Sequence, residues 1–333
     1  MKVPGLKILL MTVCPLWTLN AVQAEITLKY ALAAPAKTPW TAHANELAAS
    51  IAKSTNGTIK VNVFPGGQLG NEQDVIRQVV RGRVQMGSFS NTAASLVVPE
   101  IALLAAPYLW KDTAQADCVL DNHLTTFFEE KFAAKGLILL GWTEVGKMGY
   151  ASTKDITGLK DLVGAKMRVA PTKASSITAN SLGANSVVLP ITEVASALQT
   201  GLVDGADLPG IAYTAMGFSK IAPTWFATNH SHQVGLVLMS AKVWKKFSAA
   251  EKEQILKAQL PADALRTKVR AVEKALLGKF VKDGGNLVTL SSDDMEKMQR
   301  LAKNTRLELV DALGGEAKAT YQKIQQAKQA CQG

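Results

Sequence analysis

The sequence predicts an α/β protein in two lobes, with mixed, mainly parallel sheets flanked by helices. Three observations carry this. Strand-like and helix-like segments alternate in two separate βαβαβ runs, an arrangement that calls for parallel pairing with right-handed crossovers. The 333 residues suffice for roughly two domains. No long linker or low-complexity stretch separates the runs, so the lobes are expected to be joined by several short crossings.

The first run starts after residue 24. ITLKYALA (Ile26–Ala33) is a strand candidate. The helix candidate TPWTAHANELAASIAKSTNG follows, with Trp40, Ala44, Leu47 and Ile51 on one stripe and Gly57 as its stop. TIKVNVFP (Thr58–Pro65) alternates as a second strand. GGQLG is a turn, and NEQDVIRQVVRG is a helix with Asn71 as N-cap and Gly82 as stop. VQMGSFS closes the run as a third strand. An apolar segment, IALLAAPYLW, and a helix through Phe132 lead to strand LILLGWTEVG. The second run reads AKMRVAP, a helix, NSVVLP, the helix ITEVASALQTG and the strand-like VDGADLP. Beyond it, AKVWKKFSAAEKEQIL reads as one amphipathic helix with Val243, Phe247 and Ile255 inward. Pro261 breaks or restarts a helix that continues through Val281. NLVTL is a short strand candidate, and Asp293 onward is helix to near the end.

Met1–Ala24 is a different kind of segment. Lys2 and Lys7 precede a largely apolar Ile8–Trp17 run, and Val22 and Ala24 are small at the positions a signal peptidase reads. The expectation is a secretory signal peptide cut after Ala24, hence an exported, periplasmic protein. The run is short for a membrane span, and Val13 is a poor residue before a lipidated cysteine at Cys14. The formal charge is +10, and removing the segment takes two lysines and no acid, leaving +8. Hydrophobic content of 47% with a mean hydropathy of +0.09 excludes a disordered chain. The basic residues are scattered, as in KVWKK, and no zinc-finger or RNP-like pattern is present. No nucleic-acid partner is therefore expected. Two cysteines remain, Cys118 and Cys331. An exported compartment permits their disulfide, and the sequence leaves it open.

Little in the chain looks catalytic. GGQLG is neither a dinucleotide nor a phosphate-loop motif and reads best as a tight turn. His230 and His232 form an HxH pair without a third ligand nearby, so hydrogen bonding is favoured over metal. Asp204 and Asp207 in VDGAD more often brace backbone amides than perform acid–base work. No cofactor, metal site or enzymatic activity is expected. One residue stands out. Arg168 ends a strand just before a strand-to-helix turn. It reads either as a solvated edge charge or as a clamp for a carboxylate, which its planar fork matches in bidentate fashion. Ligands in open α/β sheets bind beyond the carboxyl ends of strands, where Arg168, Ser90, Asn91, Asp207 and Leu208 all fall.

The order KSTNGTIKVNVFPGGQLGNEQDVIRQVVRG, DITGLKDLVGAKMRVAP, SLGANSVVLPITEVASALQTGLVDGADLP resembles the extracytoplasmic solute-binding proteins of tripartite ATP-independent periplasmic (TRAP) transporters, the DctP-like family. The resemblance implies a periplasmic-binding-protein architecture. Lobe I would be 25–145 plus 234–273 and lobe II 146–233 plus 274–333, with crossings near Val145 and Val234 and a long helix around Ser248–Leu277 bracing both. It implies that Arg168 grips the carboxylate of a small organic anion. Trp40, Gln68, Glu72, Ser90 and Asn91 would face it from lobe I, and Met148, Ile191, Asp207 and Leu208 would complete the site. Many members carry a second arginine at Met148, an aromatic at Ile191 and an asparagine at Leu208, and sialic-acid members have a glutamate near Ser90. Their replacement points to an acid with one carboxylate and a less polar body. The expected partners are membrane subunits of a TRAP transporter, and a monomer is expected. A sensor protein for a membrane receptor and a secreted hydrolase are the alternatives.

Overall fold

The computed structural model describes residues 25–332, so the expected signal peptide lies outside the described residues. In the first run, β1 (Ile26–Ala31), α1 (Pro39–Ser54), β2 (Ile59–Phe64), α2 (Glu72–Arg81) and β3 (Met86–Ser90) follow the predicted order. Both β2 and β3 pair parallel to β1. Asn71 accepts from the Asp74 amide at the start of α2, and Gly82 ends the helix at φ +80, as its left-handed cap requires. The short α3 (Asn91–Ala94) continues directly from β3 and is capped by Ser90. The apolar segment is a 3₁₀ helix, Pro99–Ala105. Next come α4 (Thr113–Val119), a π turn at Leu120–Leu124, α5 (Thr125–Ala134) and β4 (Leu137–Ser152).

In the second run, β5 (Lys166–Val169), α6 (Lys173–Ser181), β6 (Asn185–Val188), α7 (Val194–Gln199) and β7 (Gly205–Pro209) again follow the predicted order. Strands β6 and β7 pair parallel to β5, which lies between them. α8 (Gly210–Ala215), β8 (Thr224–Ala227) and β9 (His232–Ser240) complete the region.

The strands run in the order β2-β1-β3-β9-β4-β7-β5-β6, and β4 is the member common to both halves. Its residues Leu137–Lys147 pair antiparallel with β9, and Met148–Ser152 pair antiparallel with β7. The register shifts between Glu144 and Gly146, just before the changeover. A bulge there bends the strand and increases its twist, letting one strand serve two sheets. Gly146 sits at φ +123, a conformation strained for any residue with a side chain, and a Cβ added there would press on the Glu273 carboxylate.

The C-terminal third departs from the expected single helix. AKVWKKFSAAEKEQIL is two helices, α9 (Ala241–Trp244) and α10 (Ala249–Lys257). Ser248 begins α10 with a capping box to Glu251, and a box of that kind starts a helix rather than continuing one. Likewise the brace is not the whole of Ser248–Leu277. It is α11 (Ala262–Lys282), which begins after Pro261. Leu265 and Val269 on α11 pack with Ile211 of α8, and Trp40 of α1 packs against the same cluster. β10 (Asn286–Thr289) pairs with β8. The last helical stretch is α12 (Ser292–Leu313) and α13 (Ala317–Ala330), separated at Gly314–Gly315. α12 places Met298 in a core with Met167 of β5 and Leu309 in a core with Phe89 of β3, so it too bridges the halves. Cys118 and Cys331 are joined by a disulfide that ties the end of α13 to α4.

Candidate functional site

A cleft of about 120 Å³ opens where the strand ends of the two halves face each other. Six of the residues singled out from sequence line it: Trp40, Glu72, Ser90, Met148, Arg168 and Ile191. Arg168 reaches it because β5 alternates. Met167 points into the core beside Val169 and Ile156, and Arg168 points the other way. The solvated-edge reading fails, since β5 is an interior strand and Arg168 is only 3% exposed.

The Arg168 guanidinium is held by neutral acceptors. Nε donates to Leu189 O at 2.8 Å and Nη1 to Asp207 O at 2.9 Å. Nη2 has no hydrogen-bond partner among the described residues, and no carboxylate forms an ion pair with the group. Burial pushes its pKa down to about 10, opposed by the charges of Asp207, Glu72 and Glu193. It therefore remains a cation at neutral pH. A desolvated cation with an unused donor is a strong receptor for an anion.

The first half supplies the opposing wall. The Glu72 carboxylate, at the start of α2, accepts from the Ser90 amide at 2.8 Å and from Ser90 Oγ at 2.9 Å. Burial raises its pKa, while the Ser90 hydrogen bonds and the Arg168 charge pull the other way. Trp40 Nε1 donates to Glu144 O at 2.6 Å, which anchors α1 to the crossing strand. Six polar wall residues escaped the sequence reading: Gln73, Ser88, Thr92, Thr143, Glu144 and Gln233. Gln233 follows His232 at the start of β9, and its Oε1 accepts from Thr92 Oγ1 at 3.4 Å. Its Nε2 has no partner among the described residues. Thr143 lies across from Gly235. A glutamine and a threonine beside the apolar stretches LILLGW and VGLVLM were the available signal.

Four predicted site residues lie elsewhere. Gln68 is exposed on the GGQLG turn. The amides of Gly66 and Gly67 in that turn donate to Ala34 O and Leu32 O, so the turn holds no free anion cradle. Asn91 is fully buried behind Ser90, with neither side-chain polar atom partnered. Leu208 shares a sheet face with Arg168, whose register partner is Ala206, but it is covered there by the core against α7 and α8. Asp207 contributes its carbonyl to Arg168, but its carboxylate lies beneath, 3.5 Å from His230 Nε2. Asp204 does brace an amide, that of Lys166. The HxH pair divides between two acids: His230 serves Asp207, and His232 Nε2 meets Glu144 Oε1 at 2.9 Å.

Beside the cleft sits a dense ionic knot. Arg270 on α11 bonds both oxygens of Asp117 and both of Glu144, at 2.7 to 3.0 Å. Arg266 grips Asp121, which the π turn presents. Burial works against the Glu144 charge, but His232 and Arg270 outweigh it and lower its pKa. Glu273, one helical turn from Arg270, is pushed up to about 7 by burial and by Glu144.

Comparison with known proteins places this geometry. Residues 30–310 match the family model DctP, bacterial extracellular solute-binding protein, family 7. The chain is 27% identical to the sialic acid-binding periplasmic protein SiaP of Vibrio cholerae serotype O1, over 85% of this chain and 89% of that one. A TRAP periplasmic solute-binding protein from Xanthobacter autotrophicus Py2, solved with β-D-galacturonate, is 27% identical with a TM-score of 0.84, covering 91% of this chain and 99% of that one. One from Sulfurospirillum deleyianum with succinate is 26% identical with a TM-score of 0.84 over the same shares.

Proposed function

We propose how the cleft works from one premise: this chain belongs to the bacterial extracellular solute-binding proteins of family 7. It is a solute-binding subunit of a TRAP transporter that captures an organic acid outside the cytoplasm. Its family and neighbours are binding proteins rather than enzymes. The proposal concerns the groups that hold the acid and the kind of acid.

Arg168 takes the carboxylate. The observation that carries this is its unpaired Nη2 at the floor of a cleft where, among the described residues, no carboxylate pairs with it. Glu72 on the opposing wall repels a second carboxylate and accepts a hydroxyl instead. Met148, Ile191 and Met216 offer apolar surface, so a monocarboxylate with a modestly polar body is the best match. The lobe division given from sequence is part of this proposal, amended in that α13, which shares a core with α4 and is tied to it by the disulfide, goes with lobe I. Closure bends β4 and β9 around the ligand, which contacts both lobes only when they meet. Export with cleavage after Ala24, a monomeric state and delivery to a cognate pair of membrane subunits complete the reading.

The test is a melting-temperature screen of refolded, ligand-free mature protein against organic acids, with Arg168→Ala in parallel. Ligand at 100 times its Kd adds about 2.7 kcal/mol of stability. Monocarboxylates should shift wild type and leave a still-folded Arg168→Ala unmoved. A shift that survives in the variant would remove Arg168 from the role. A response confined to dicarboxylates would overturn the ligand class.

A further inference from the structure

A second cavity, of about 590 Å³, shares no lining residue with the cleft. It lies where the Tyr108–Lys111 loop meets α4, α12 and α13, and Lys111, Arg306 and Lys328 line it together with Gln115, Gln299 and Gln332. Three cations and no acid face this space. Among the described residues none of the three is in an ion pair; the paired arginines near α4 are Arg266 and Arg270 instead.

The Arg306 guanidinium and the backbones that carry Lys111 and Lys328 are held in place. Arg306 Nη1 donates to Pro107 O at 2.8 Å and Tyr108 O at 3.3 Å, leaving Nη2 and Nε without partners among the described residues. Buried Gln115 accepts from the Lys111 amide and donates to Lys328 O, linking the loop to α13. The Cys118–Cys331 disulfide closes the same corner covalently. Tyr108, on the cavity wall, has a backbone φ of +45°, a costly conformation for a residue with a side chain. Burial and then the Arg306 charge both push the Lys328 ammonium pKa down. Like charges gathered on a concave wall without a counter-charge raise the local positive potential and attract anions.

We infer that this cavity is a second anion site, for a phosphate-type oxyanion carrying two or more negative charges. A monocarboxylate offers one charge and two oxygens, too few to engage three cations from three elements. A phosphate group offers oxygens in several directions to a guanidinium, two ammoniums and the amide N–H groups of Gln299 and Gln332. Such a group reaches the site free in solution or on a lipid headgroup, and the test separates these.

Titrate the mature, disulfide-bonded protein with pyrophosphate by calorimetry, and sediment it with vesicles of phosphatidic acid, a phosphomonoester lipid, or of phosphatidylcholine. One pyrophosphate per chain is expected, weakening with added salt. Lys328→Gln and Lys111→Gln should each weaken it about tenfold, and Arg168→Ala should leave it unchanged. Binding to phosphatidic acid vesicles alone, lost in Lys328→Gln, keeps the phosphate chemistry and makes the source a lipid. Loss in Arg168→Ala would put the anion in the cleft and overturn the inference. So would binding that both lysine variants retain, or no binding to either probe.

Discussion

Arg168 and Arg270 flank the same strand crossing and are held in opposite ways. Arg168 is nearly buried and is fixed by two neutral carbonyls. Arg270 is fixed by two carboxylates through four hydrogen bonds. Burial opposes the charge of both. At Arg168 burial prevails and lowers the pKa to about 10. At Arg270 the bonds to Asp117 and Glu144 prevail and raise it. The difference separates a receptor from a rivet. A guanidinium positioned by carbonyls keeps its charge for an incoming anion, whereas one positioned by carboxylates is already neutralised and only holds elements together.

Four experiments bear on that contrast, beginning with the largest effect. Arg168→Ala should cost about 3–5 kcal/mol of affinity for the cognate acid, roughly 150-fold to several thousandfold, by calorimetry. Its ligand-free stability should change by less than about 1 kcal/mol, because losing a desolvated charge offsets two orphaned carbonyls. A large drop in stability would make Arg168 a rivet as well. Arg270→Met should behave the other way. It leaves Glu144, 2% exposed, with His232 as its remaining side-chain partner. Breaking a buried pair costs several kcal/mol, reduced here because Arg270 is partly exposed, so about 2 kcal/mol is expected in urea unfolding. Acid affinity should stay within a few fold.

The third experiment uses pH. Glu144 and Glu273 adjoin the same crossing with opposite shifts. The depressed pKa of Glu144 gives stability that is present above about pH 4.5 and is lost as pH falls through its folded value. The raised pKa of Glu273 means that the folded state binds more protons between pH 4.5 and about 7, so stability falls as pH rises through that window. Glu273→Gln should therefore gain about 1–2 kcal/mol over wild type at pH 8 and nothing at pH 4, read from melting curves. An equal gain at both would show a packing effect instead. The smallest effect belongs to Gln233→Ala. Losing one neutral hydrogen bond from its free Nε2 to the ligand should weaken the acid about fivefold. No change would mean that the amide faces water in the closed form.

Much of the fold was readable because its signals are local. Asn71 and Gly82 delimit α2 through their own cap geometry. The pattern of AKMRVAP put Arg168 at a strand end, and strand alternation then aims it into the cleft. What escaped depends on neighbours distant in sequence. Nothing near Leu208 says which face of β7 meets a core, because that follows from the sheet's placement against α7 and α8. The residues of the ionic knot, Asp117, Glu144 and Arg270, are scattered over some 150 positions and meet only after α11 has packed.

The sequence by itself determined the two βαβαβ runs, their parallel pairing, the family and the arginine that can clamp an acid. Caps, periodicity and a fork-shaped side chain are properties of short segments. Tertiary structure alone decided which cations stay unpaired. It left Arg168 among carbonyls, bound Arg270 between Asp117 and Glu144, and gathered Lys111, Arg306 and Lys328 around one cavity. Charge pairing is set by distance in space and by access to water, and neither is written in the order of residues.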